Sequence, residues 1–142
     1  MKKIFIVILI VFTSFIKGAK AQTNGVQDTL AYLQTIVANK TQFIGQPFST
    51  LMDSLKIQIK FFSPFSGIHY DITKETSTDF SFYFSQNTNN YYLTYPRLEV
   101  FWQLPLNATQ SDSLWETNGG IWSSAVAAFY ANGIIKDIQI RE

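Results

Sequence analysis

The sequence predicts an α+β domain: an N-terminal helical pair, a four-to-five-stranded antiparallel meander, one further helix and a C-terminal strand, with the helices on one face of the sheet. Apolar residues recur at helical spacing up to Leu55 and then alternate at period two from Ile57 onward. The connections between the alternating segments are short and rich in Ser, Gly, Pro, Asn and Thr, which suits hairpins rather than crossovers. Aromatic residues make up 16% of the chain and cysteine is absent, so packing rather than disulfides must hold the fold.

The chain opens with Lys2 and Lys3 before an apolar run from Ile4 to Ile16, interrupted only at Thr13 and Ser14, and then Ala19-Lys20-Ala21. A basic start, a short apolar stretch and small residues at the first and third positions before a cut describe a secretory signal peptide over residues 1–21, cleaved before Gln22. The run is shorter than the ~20 residues a membrane span takes, so no stable membrane anchor is expected after cleavage. Residues 22–142 are then one domain, long enough to bury a core. The Lys-Lys start and the Ala-x-Ala-Gln end have a bacterial character. The expected destination lies across the inner membrane, periplasmic or extracellular. The sequons at Asn39 and Asn107 carry little weight there.

Val26, Leu30, Leu33 and Val37 share one helical face, with Asn24 and Gln27 placed as a capping pair and Asn39 at the end. Gly45 separates this helix from a second, in which Pro47 suits the first turn and Phe48, Leu51, Met52 and Leu55 form the stripe. Four strands follow from alternation: Ile57-Ile59-Phe61, Ile68-Tyr70-Ile72, Phe80-Phe82-Phe84 and Leu98-Val100-Trp102-Leu104. Residues 63–67, 74–78 and 86–90 read as turns. Tyr91 to Tyr95 begins the last long strand, with Pro96 marking a bulge or an edge. Leu106 to Gly120 is polar and reads as the longest loop, pinned at Leu114 and Trp115. Trp122, Val126 and Phe129 predict a third helix ended by Asn132-Gly133, and Ile134 to Ile140 closes as a strand.

The segment Phe43-Ile44-Gly45-Gln46-Pro47-Phe48-Ser49-Thr50-Leu51-Met52-Asp53-Ser54-Leu55, with Tyr130-Ala131-Asn132-Gly133-Ile134-Ile135 near the end, resembles beta-lactamase-inhibitor-protein-like modules and the small outer-membrane assembly lipoproteins that share them. The likeness covers a third of residues 22–142. It implies a non-enzymatic envelope module that works by protein contact. The chain departs from the lipoproteins in lacking a cysteine to lipidate, and Ser123 to Tyr130 has a helical pattern where a hairpin arm would stand.

Loss of residues 1–21 removes four lysines and leaves seven basic against ten acidic side chains. A mildly acidic domain with scattered cations excludes a nucleic-acid footprint. The single histidine, His69, shares a predicted strand face with Asp71, the pattern of a general base and its orienting carboxylate. Ser66 lies near but has no nucleophile elbow. Asp71, Glu75 and Asp79 flank one turn and can converge, but no calcium-loop spacing occurs, and neither a metal nor a cofactor is expected. Gly119-Gly120 is at most a weak anion cradle.

Aromatic residues at outward strand parity give a clearer signal. If Ile57, Ile59, Phe61, Phe80, Phe82, Phe84, Val100 and Trp102 face the helices, then Phe62, Tyr83 and Phe101 face away, and Tyr91 and Tyr95 share the parity of Phe101. Large apolar groups on a solvated face mark an interface. The expected function is therefore a secreted, non-enzymatic binding module, contacting a protein or glycan through the outer sheet face with Phe62, Tyr83, Phe101, Tyr91 and Tyr95. The alternatives are a cystatin-like pocket protein taking a small apolar ligand against the helices, and a hydrolase using His69 and Asp71.

Overall fold

The structure, a computed structural model, describes residues 28–83 and 95–142. The predicted signal peptide, the Asn24–Gln27 cap, Val26, Phe84, the turn at 86–90 and Tyr91 lie outside the described residues. Among the described residues, four α-helices pack with a four-stranded antiparallel sheet of order β1-β2-β3-β4, so the α+β class stands.

Helix α1 (Thr29–Ala38) starts after Asp28, whose carboxylate accepts from Ala31 N at 3.0 Å, and it buries Leu33 and Ile36. Its cap is Asp28 rather than Asn24. A single 3-10 turn, Lys40–Gln42, leads to Gly45, which takes a positive φ of 78°. From there the chain is stitched to the C-terminal turn: Gly45 N donates to Ile135 O, Phe48 N to Gly133 O and Ser49 N to Ala131 O. Helix α2 (Phe48–Ser54) thereby lies flat on the core with Phe48 and Leu51 buried.

Strand β1 (Phe61–Phe65) begins later than the alternation suggests. Strand β2 (Lys74–Ser81) falls where a turn was expected over 74–78, and the expected strand at Ile68–Ile72 is instead the β1–β2 connection. Local hydrogen bonding decides this. Asp71 N bonds Ile68 O, and the Asp71 carboxylate accepts from Thr73 N and, at 2.6 Å, from Thr73 Oγ1. Side-chain bonding of that kind closes a turn at the expense of a ladder. Tyr70 and Ile72 are left 94% and 76% exposed.

Strand β3 (Arg97–Asn107) carries Leu98, Val100 and Trp102 inward, as the alternation predicts. The expected long loop is mostly helix α3 (Ala108–Asn118). Asn107 caps it by accepting from Gln110 N, and Gly119, at φ 60°, ends it in the left-handed conformation. Asn107 and Gly119 are residue types suited to these two cap positions, but the sequence pattern of the segment reads as a loop. It shows no apolar stripe, because the buried positions are small: Ala108 and Ser111. Helix α4 (Ser124–Tyr130) buries Val126 and Tyr130, and β4 (Ile135–Arg141) buries Ile135 and Ile138 beside β3.

One core unites these elements. Phe80 stacks on Phe48 at 4.6 Å between ring centres, and Tyr130 stacks on Trp102 at 5.6 Å. Trp122 meets Phe80 edge-on at 5.6 Å. Such geometries add to simple burial.

Candidate functional site

The register assigns each outward position of the sheet. Phe61, Ser81, Arg97 and Arg141 form one row across the four strands; Ser63, Asp79, Glu99 and Gln139 the next; and Phe65, Ser77, Phe101 and Asp137 a third.

Phe62 is not on this face. It pairs with Phe80, is 2% exposed and packs edge-on to Tyr130 at 5.8 Å. The expectation of an outward Phe62 fails because the alternation slips before β1 begins. Ile59 and Phe62, three apart, are both buried, with Lys60 N bonded to Ser81 O and Phe62 N to Gly120 O. Phe101 does point outward and is half-buried. Tyr83 and Tyr95 are also half-buried and stack on each other at 4.8 Å, near the end of the face where Ser81 pairs with Arg97. Phe65, which the pattern did not single out, shares the row of Phe101 and is 57% exposed. Ser77 between them is buried.

Charge on the face is internally matched. Asp79 pairs with Arg97 at 3.0 Å, while Glu99, 2% exposed, takes two bonds from Arg141 at 2.5 and 2.9 Å and one from Ser77 Oγ at 2.9 Å. Burial raises the Asp79 pKa, and the Arg97 guanidinium pulls against it. At the row's end Lys40 holds Asp137 at 2.6 Å and keeps its carboxyl below the usual range. Paired charges of this kind fix side chains in place and leave no activated nucleophile among them.

Among the described residues, four of the seven exposed large apolar groups stand toward one end of the sheet, while Ile44, Trp115 and Ile121 lie elsewhere. Thr73 O accepts from Ala108 N, and Lys74 pairs with Asn107, so the β1–β2 connection and the far part of β3 lie side by side. Phe65, Tyr70, Ile72 and Leu104 (73% exposed) all belong to this end. The sheet edges are less available. Pro64 removes a donor from β1, whose start bridges to Ile121. The opening of β4 is covered by residues 45–47, and Lys40 Nζ reaches Ile138 O.

His69 is exposed and has no hydrogen bond to the described residues, whereas Asp71 spends its carboxylate on Thr73 and on Lys74 at 3.0 Å. The two are not organised as a base and its orienter. Asp71, Glu75 and Asp79 do not converge: Asp71 lies in the turn, Glu75 is buried in the core and Asp79 is on the outer face. Among the described residues no group of three potential metal ligands occurs, and no helix is long and apolar enough to cross a membrane.

A groove of about 500 Å³ opens beside the C-terminal end of α2, lined chiefly by Met52, Leu55, Ile57, Ile59, Lys60 and Trp122. That volume lies within the ~300–1,000 Å³ of small-ligand sites. No protein-family model matches the chain, and neither a curated protein nor a solved structure shows significant similarity to it.

Proposed function

We propose that the chain is an exported, non-enzymatic binding module that docks a protein partner of the bacterial envelope or its surroundings through the Phe65–Phe101 end of the outer sheet face. The observation that carries this is the exposure of Phe65 at the end of β1, and of Tyr70 and Ile72 in the connection that follows it, by 57%, 94% and 76%. Keeping apolar surface in water costs about 25 cal/mol per Å², and patches of this kind mark interfaces. Aliphatic Ile72 favours a protein over a glycan, which needs hydrogen-bonding groups that the face spends on its own ion pairs. Phe101 remains in the docking surface from the outward aromatics, with Tyr83 and Tyr95 stacked toward the opposite end, and Phe62 leaves it. The arrangement of residues 1–21 supports export.

The test is capture of partners from the source cell's envelope and medium, with a Tyr70→Ser/Ile72→Ser variant run alongside. The expected result is a partner retained by the native protein and lost by the variant, with circular dichroism of the two unchanged. A partner held equally by a folded variant would move the interface elsewhere.

The groove beside α2 favours a second reading, a pocket protein for a small apolar ligand, in the manner of cystatin-like folds. A ligand carried through purification and seen by native mass spectrometry, lost on Leu55→Arg, would establish it.

A further inference from the structure

Glu75 is fully buried, an arrangement a carboxylate tolerates only when paired. It leaves β2 at the register shift between Glu75 and Ser77 and points into the seam between the sheet and the α3–α4 pair. One carboxyl oxygen accepts from Thr78 Oγ1 and, at 3.0 Å, from the Tyr130 hydroxyl of α4. Thr78 Oγ1 in turn accepts from the Trp102 indole N–H of β3 at 2.9 Å. The other carboxyl oxygen, Oε2, has no hydrogen-bond partner. Ser111 of α3 faces the carboxyl, while its hydroxyl donates to Ala108 O at 3.1 Å.

This arrangement fits a neutral acid. A proton on Oε2 gives that unpartnered oxygen a hydrogen to offer toward Ser111 Oγ, whose own proton stays with Ala108 O. Ser111, like Thr78, then both accepts and donates, while the Tyr130 hydroxyl donates. An ionised carboxyl would leave Oε2 unsatisfied, or take the Ser111 proton from Ala108 O, with no cation to offset its burial. The titratable group facing it is Tyr130, whose own pKa is pushed well up, first by burial and then by Glu75. Among the described residues no cation faces it: the neighbouring Lys74 points outward to Asp71, Arg97 and Arg141 serve the opposite face of the sheet, and on α3 Asp112 and Glu116 are exposed.

We propose that Glu75 is a proton-controlled fastener: neutral, it ties the α3–α4 pair to the sheet through Ser111, Tyr130 and Trp102, and its ionisation loosens that pair. Burial moves the carboxyl in the same direction, raising its pKa against the hydrogen bonds that lower it. A raised folded value means that the folded state keeps the proton longer. The stabilisation is complete below the ordinary carboxyl pKa and declines as pH rises through the folded value.

The experiment compares the full chain with its Glu75→Gln variant in urea unfolding and amide hydrogen exchange from pH 5 to 9. Glutamine reproduces the neutral acid, accepting at one end and donating to Ser111 at the other. The wild-type folding equilibrium should fall with pH, by up to about tenfold per unit over the interval crossed, while the variant lacks that component. Amides of residues 108–130 should lose protection before those of β3 and β4. Parallel pH curves for the two proteins would overturn the proposal, as would exchange rising evenly over sheet and helices. A glutamine variant that fails to fold would overturn it too, since the neutral form would then not be the fastening one. Carbon-13 titration of the wild-type carboxyl gives an independent readout: Glu75 should lose its proton above the ordinary carboxyl range, and ionisation within or below that range refutes the idea.

Discussion

Phe62 and Phe65 sit three residues apart in one strand of five residues and are expected to behave oppositely. Phe62 is 2% exposed, with its ring edge-on to Trp122 at 6.3 Å and to Tyr130 at 5.8 Å, while Phe65 is 57% exposed. Truncating Phe62 to Ala removes a fully buried ring and leaves a cavity that its neighbours cannot collapse into. Tyr130 is held by Trp102 and Glu75, and the Phe62 backbone is held by Gly120 O. The cost is about 3–5 kcal/mol, a large share of the roughly 5–15 kcal/mol that stabilises a domain. At about 4 °C per kcal/mol for a domain of this size, Tm should fall by roughly 12–20 °C. Phe65→Ala should change stability by no more than about 0.5 kcal/mol. Urea and thermal unfolding of the two variants measure both numbers. Comparable small shifts for the pair, or a larger loss at Phe65, would refute the assignment of Phe62 to the core and with it the register of β1.

Other outcomes follow from close contacts and from the outer-face ion pairs. A Cβ on Gly133 would stand 3.0 Å from two Trp102 ring carbons and 3.2 Å from Tyr130 O, and the stacked Trp102 has little room to move, so Gly133→Ala should cost about 1–3 kcal/mol in urea unfolding. Arg141→Met removes two charge-assisted hydrogen bonds from the buried Glu99 carboxylate while keeping the one from Ser77, which should destabilise by about 1–3 kcal/mol. A Glu99→Gln/Arg141→Met double variant should recover part of that loss, and full additivity of the two changes would show that the pair is not coupled.

How much of this was legible beforehand depended on whether a residue's environment repeats along the chain. The long apolar alternation of β3 and the helical stripe of Phe48 and Leu51 were, because each buries one continuous apolar face. Strand β2 was not. Its inward positions include Glu75 and Thr78, polar groups that become core residues only because Tyr130 and Trp102, far along the chain, supply hydrogen bonds. Helix α3 was hidden for a related reason, since Ala108 and Ser111 bury a face too small to register as apolar. The alternation at Ile68, Tyr70 and Ile72 misled in the other direction. Period two describes a strand only where a neighbour pairs with it, and Asp71 closes a turn there instead.

The sequence by itself determined the α+β class, the antiparallel character of the sheet and reliance on packing without cysteine, because these depend on composition and local periodicity. Only the tertiary structure decided which aromatics face outward, since a one-residue slip before β1 sends Phe62 to the core and leaves Phe65 in solvent. It alone also set a buried carboxyl beside Tyr130 and Ser111. Burial, hydrogen-bond completion and the resulting protonation belong to neighbours that are remote in sequence, and no local pattern encodes them.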